Sequence, residues 1–210
     1  MANGFTYPAL PVVTMEHPDM IEFFRWGLIP HWAKDMASAV VSAKNCLNAI
    51  SEEIAQKSSF RAVQNKRCAI FVTGFYELRH FKGKAYPYFI KLRERDYFWL
   101  GGLYSHWKDP ETDFDVPTVT VLTTRANPLM EIVHNERKRM PVILTDELLG
   151  VWLSDRPTEA VKALMEPYDQ ELMEAYSISK LLTSRKDNNN VPEVQDRFDY
   201  PELAVQKTLF

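Results

Sequence analysis

The 210-residue chain is 46% hydrophobic with a formal net charge of −3, a length suited to one domain or at most two small ones and enough apolar content for a sizeable core. That balance excludes a chain disordered over most of its length and gives no whole-chain basic signature of nucleic-acid binding. No apolar run approaches a membrane span and no basic leader follows Met1, so the cytoplasm is the default location.

In chain order, residues 5–14 read as an extended segment kept to a sheet edge by Pro8 and Pro11. Residues 21–28 (IEFFRWGL) read as a strand, and 29–35 as a loop that exposes or half-buries Trp32. Residues 43–50 look extended. Residues 51–57 look like a short helix with Ser51 as N-cap and Glu52 and Glu53 in its first turn. The central stretch is 67–80, RCAIFVTGFYELRH. It starts as the apolar run of a buried strand, breaks at Thr73-Gly74, and continues as a second extended piece holding Glu77. A hairpin turn around Gly83 leads to a returning strand over 86–92 and another over 97–104, broken at Gly101-Gly102. After a polar hairpin loop at 109–115, residues 116–124 alternate Val and Thr as a strand does. Residues 127–133 suit a helix, 140–144 a short buried strand, 145–153 a helix capped by Thr145, and 158–165 another helix. Residues 174–179 read as a last strand, 188–192 as a polar loop, and the tail from Phe198 is weakly specified.

Short strands outnumber helices, and no Gly-rich phosphate loop follows a strand. The expected class is α+β: a single domain with a curved, barrel-like, mostly antiparallel sheet and a few short helices. The two cysteines, Cys46 and Cys68, show no CxxC pattern or neighbouring His, so buried free thiols are expected and a metal site is not.

Charge is uneven. Residues 57–95 hold ten Lys and Arg against two acids. This suits either a localised anion-binding face or ordinary solvated strand edges guarded by Lys. No GxSxG nucleophile elbow is present. The polar residues of interest are Asn48, Glu77 and His134. Asn48 interrupts an apolar segment, as a turn residue or as a hydrogen-bonding group. Glu77 stands among aromatic and apolar neighbours, where a carboxylate needs a partner or a chemical role; a solvent-facing Glu on an amphipathic strand is the alternative. His134 ends a short helix, where it can complement the dipole or act in chemistry. His80 points to the strand face opposite Glu77 and is a poor partner for it. Trp26 suits core packing, and Trp32 suits either packing or stacking on bases.

Together these stretches resemble the SOS-response-associated peptidase (SRAP) family, also called abasic-site processing proteins. The resemblance rests on Arg25-Trp26-Gly27-Leu28-Ile29-Pro30-His31-Trp32, Leu47-Asn48-Ala49, Lys57-Ser58-Ser59-Phe60-Arg61, Arg67-Cys68 with Gly74-Phe75-Tyr76-Glu77, Gly102-Leu103-Tyr104 with Trp107, Thr123-Thr124-Arg125-Ala126-Asn127, and Arg139-Met140-Pro141-Val142-Ile143-Leu144. They occur in the family's order over residues 3–145. The resemblance implies a protein that captures abasic sites in single-stranded DNA. In that family an N-terminal cysteine condenses with the sugar aldehyde to a thiazolidine, assisted by an Asn, a Glu and a His. By motif these fall on Asn48, Glu77 and His134. Trp32 is then expected to stack bases, and Arg61, Arg67, Arg79 and Arg139 to contact DNA. No cofactor, metal or membrane partner is implied, and oligomeric state is left open.

Three departures stand out. The chain lacks the family's N-terminal cysteine and starts at a point that is internal in the family, so a leading segment is expected to be missing. Ile50 stands where the family has Arg. His134 lies seven residues before Pro141, with Arg137 at the family's four-before position. Covalent capture is therefore the first reading, non-covalent single-stranded DNA binding by an inactive or truncated copy the second, and general peptidase activity the last.

Overall fold

The computed structural model describes residues 1–184 and 186–204. Strand β1 (Ala9–Thr14) pairs antiparallel with β2 (Glu22–Trp26) and with β4 (Arg67–Val72). Strand β4 pairs with β7 (Phe98–Lys108), β7 with β8 (Asp115–Arg125), and β8 in parallel with β2. These five strands therefore close on themselves as a barrel. Short strands β3 (Asn48–Ile50) and β9 (Arg139–Pro141) extend it along β8, and β10 (Ile143–Leu144) along β7. A second sheet runs β11 (Met173–Ser177), β6 (Lys84–Leu92), β5 (Phe75–Phe81). The α+β class and the barrel-like sheet are as the sequence predicts.

Strands β4 and β7 are buried on both faces along most of their length, which explains their apolar runs. Val12, Ile70 and Tyr104 point into one cluster with Phe24 and Val119. Their chain neighbours Val13, Ala69 and Leu103 pack into another with Trp99 and Trp152. Trp152 belongs to helix α4 (Asp146–Trp152), and its indole N–H donates to the Cys68 carbonyl at 2.9 Å. Full burial of each such side chain contributes about 1.5–3 kcal/mol.

Several expectations are corrected. Residues 43–45 are helical: α1 (Met36–Asn45) starts at an Asp35–Ser38 capping box. The two valines at 40 and 41 favour strand locally, but the reciprocal cap nucleates a helix. The helical turn at Ser51–Glu53 is 3-10, its N-cap is Ile50, and α2 follows only at Ser58–Arg61. Strand β7 runs through Gly101-Gly102 without a break. A methyl group on Gly102 would sit 2.8 Å from the Thr120 carbonyl oxygen, so the glycine serves close strand contact. Thr158–Met165 is a 3-10 helix, and Thr145 occupies the α4 N-cap position without a side-chain cap bond. Helix α3 is Pro128–Val133, where Asn127 accepts the Met130 amide at 2.8 Å. Of the tail, α5 spans Pro201–Ala204, and residues 205–210 lie outside the described residues.

Candidate functional site at Glu77 and His134

Strand β4 leaves the barrel at Thr73-Gly74 and becomes β5 of the second sheet. A Cβ on Gly74 would lie 2.3 Å from the Phe89 ring and 2.7 Å from the Ile90 carbonyl oxygen, so only glycine lets the chain cross β6 this closely. The crossing places Glu77 opposite Tyr88, on the wall of an open cleft of about 900 Å³. Met1, Trp26, Tyr76, Phe89 and Val121 also line it.

Helix α3 brings up the second group. Past Val133, the His134 amide donates to the Met130 carbonyl at 2.7 Å, and the Lys138 amide donates to the His134 carbonyl at 2.8 Å. Lys138 takes a left-handed φ of 50°, which turns the chain into β9. The His134 imidazole then reaches β5: its Nδ1 lies 3.6 Å from Glu77 Oε1 and 2.9 Å from the Arg139 carbonyl oxygen. A carbonyl only accepts, so Nδ1 carries the hydrogen and Nε2 is left for another partner. Side-chain exposure is 18% for His134 and 27% for Glu77, so the pair is shielded but reachable. Burial pushes the Glu77 carboxyl above its ordinary value, opposed in part by the His134 charge, the Leu78 amide and the Arg137 charge. Such a carboxyl can hold or release a proton closer to neutrality than a free one.

The remaining expected residues divide. Asn48 is exposed on β3 and makes no hydrogen bond to Glu77 or His134, but its register partner Val121 lines the cleft. Trp32 is 46% exposed in a loop anchored where the Trp107 indole donates to the Ala33 carbonyl at 2.8 Å. Trp26 packs on the barrel core. Arg61 is exposed, and Arg79 reaches the Tyr88 hydroxyl at 3.3 Å. Arg139 grips Glu52 with both terminal nitrogens, at 3.0 and 2.7 Å, and also donates to the Thr123 carbonyl.

The expectation for Arg67 is corrected. Its side chain is fully buried and donates to the carbonyls of Trp152, Ser154 and Arg156 at 2.6–2.7 Å and to the Thr158 hydroxyl at 3.1 Å. A phosphate cannot reach it. The basic stretch 57–95 likewise does not form one free face. Lys57, Lys66, Lys91 and Arg95 pair with acids elsewhere in the chain.

Two residues at the site escape sequence reasoning. Glu52 reads as a helix first-turn acid, and Asn135 as one polar residue in a polar run. The Asn135 side chain in fact bonds both backbone groups of His80, accepting at 3.0 Å and donating at 2.8 Å. Only the two residues' spatial meeting reveals it.

The cysteines are internal. Both are buried, and burial raises both thiols. Among the described residues, no group of His, Cys, Asp and Glu could hold a metal ion, and no helix is long and apolar enough to cross a membrane.

A family profile described as SOS response associated peptidase (SRAP) matches residues 3–185. The chain is 42% identical over 174 residues to the abasic site processing protein YoqW of Bacillus subtilis, covering 81% of this chain and 73% of that one. It is 40% identical over 164 residues to the abasic site processing protein YobE of the same organism, covering 76% and 71%. A crystal structure of a protein from Bacteroides thetaiotaomicron superposes with a TM-score of 0.88 at 35% identity, over 94% of this chain and 84% of the other. One from Bordetella bronchiseptica gives 0.74 at 27%, over 81% and 84%. The matched range spans the barrel and the second sheet, and the chain belongs to the SOS response associated peptidase family.

Proposed function

We propose that this chain engages abasic sites in single-stranded DNA, with the open sugar held in the cleft beside Glu77 and His134. The observation that carries the reading is a shielded carboxyl–imidazole pair whose Glu77 lines the cleft, in a chain whose relatives are named abasic site processing proteins. Ring opening breaks the C1′–O4′ bond, with a proton lost from the C1′ hydroxyl and one gained by O4′. His134 can supply the second through Nε2. Attack of an amine on the C1′ aldehyde gives a carbinolamine, and loss of its hydroxyl as water needs a proton that Glu77 can deliver. Asn48, whose register partner Val121 lines the cleft, is assigned the role of orienting the amine. Trp32 offers a stacking face, Arg61 and Arg79 offer charge to phosphates, and Arg139 would do so on release from Glu52.

A thiazolidine needs an amine and a thiol on one terminal residue. Neither Cys46 nor Cys68 meets that requirement, while the Met1 ammonium donates to Asn190 at 2.5 Å and Met1 lines the same cleft as Glu77. A polypeptide made with Met1 as its first residue should hold an abasic oligonucleotide non-covalently or as a hydrolysable imine. The test is a denaturing gel with an abasic single-stranded oligonucleotide, with and without borohydride. A shifted band only with borohydride is expected. A version with a cysteine as its first residue should give a band without it, and Glu77→Gln should slow that band's appearance. A borohydride-independent band from the unaltered polypeptide would overturn the assignment of the nucleophile.

A further inference from the structure

Strand β5 is the edge of its sheet. Its register with β6 sets Leu78 opposite Pro87, which has no N–H to donate. That pair is therefore a non-hydrogen-bonded one, and by alternation the peptide groups of Tyr76, Leu78 and His80 point away from β6. An edge of this kind leaves backbone donors and acceptors without a strand partner. At His80 the vacancy is filled by a side chain. Asn135 Oδ1 accepts the His80 amide hydrogen at 3.0 Å, and Asn135 Nδ2 donates to the His80 carbonyl at 2.8 Å. The carboxamide has the donor and acceptor of a peptide group and takes the place of one rung from a neighbouring strand.

The place of this rung matters. His80 lies three residues beyond Glu77 on β5, and Asn135 is the residue after His134. The rung thus ties together the two chain segments that bear the pair. The pair cannot hold itself: 3.6 Å between His134 Nδ1 and Glu77 Oε1 exceeds hydrogen-bond length, and that hydrogen is directed at Arg139. Another polar link between the segments, beside the packing of α3 on β5, is His80 with Glu136 at 3.5 Å, where the acid is 61% exposed and its contribution small. Two hydrogen bonds to one edge residue are the stronger constraint.

We propose that Asn135 is a positioning residue. Its carboxamide completes the free edge of β5 and so sets the spacing of His134 from Glu77 on which proton transfer at the abasic site depends. The proposal deepens the functional reading above and rests on it for the reaction, but the geometric part can be measured without DNA.

The test uses the whole chain and the variants Asn135→Ala and Asn135→Asp. Amide exchange at His80 should speed up at least ~10-fold in Asn135→Ala, and less in Asn135→Asp, which keeps the acceptor and loses the donor. The His134 ring signals in ¹H–¹⁵N spectra should move in both. On an abasic single-stranded oligonucleotide, with the cysteine-first version, adduct formation should slow by about 10–100-fold in Asn135→Ala while the dissociation constant changes less than about 2-fold. Unchanged His80 exchange and unchanged ring signals overturn the proposal, as does a parallel loss of affinity and rate, which marks general damage. If Asn135→Ala does not fold, the near-isosteric Asn135→Asp is read by the same criteria. If exchange and ring signals respond but the unsubstituted protein never acts on the oligonucleotide, the positioning stands and the functional reading falls.

Discussion

The imidazole of His134 and the carboxyl of Glu77 stand 3.6 Å apart although 57 positions separate them in the chain, and each is placed by a different sheet. Glu77 arrives by the glycine crossing from the barrel to the second sheet. His134 arrives from the end of a six-residue helix beside the β8–β9 edge. Neither is fully buried, and of the two Glu77 lines the cleft.

The Glu77 carboxyl titrates above its ordinary value in the folded state. The native protein therefore binds that proton more tightly than the unfolded chain does. The associated stability is fully present below the unfolded value near 4.5 and is lost as pH rises through the higher native value. Glu77→Gln keeps the neutral form at every pH. Its melting temperature should match the parent at pH 4 and exceed it at pH 7, each 1 kcal/mol corresponding to about 2–4 °C for a chain of this size. A gap that is constant with pH would show that ionisation of Glu77 costs the fold nothing.

Arg67 anchors the end of α4 and the segment after it to the barrel through four hydrogen bonds. Arg67→Ala strands three carbonyls and should cost at least about 3 kcal/mol, with Arg67→Lys recovering only part, since an ammonium cannot make the guanidinium's fork. Urea unfolding should show a lowered midpoint at unchanged slope. Retained stability together with weakened DNA binding would return Arg67 to the DNA-contact group.

Glu52 occupies both terminal nitrogens of the Arg139 guanidinium, and this contact draws the Glu52 carboxyl below its ordinary value; if Arg139 contacts DNA, Glu52 competes with the phosphate. In Glu52→Gln the competing charge is gone. Affinity for a single-stranded oligonucleotide should rise several-fold, and the log–log salt slope should steepen by about 0.7 as one more phosphate contact forms. Weaker binding with a shallower slope would mean that Glu52 orients Arg139 rather than competing for it.

Trp32→Ala should weaken single-stranded DNA binding by about 1–3 kcal/mol and leave duplex binding nearly unchanged, and, because the residue is 46% exposed, thermal stability too. Fluorescence anisotropy with matched single-stranded and duplex oligonucleotides measures both. Equal losses for the two substrates would remove the stacking role.

The sequence by itself determined the class of fold and most of its strands. Burial on both faces imposes apolar runs such as Cys68–Val72 and one-sided burial imposes alternation, and these are local signals. It also marked Glu77 and His134 as polar residues needing an explanation, and its ordered motifs pointed to the family. Where a local preference met a stronger local device, as at α1 with its capping box, the reading went astray. What only the tertiary structure decided were contacts between distant positions. Arg67 meets carbonyls 85 to 89 residues away, Arg139 meets Glu52 across 87, and Asn135 meets His80 across 55. Each depends on strand order and register. Those are set by the packing of the closed barrel as a whole and leave no periodic trace in the residues that meet.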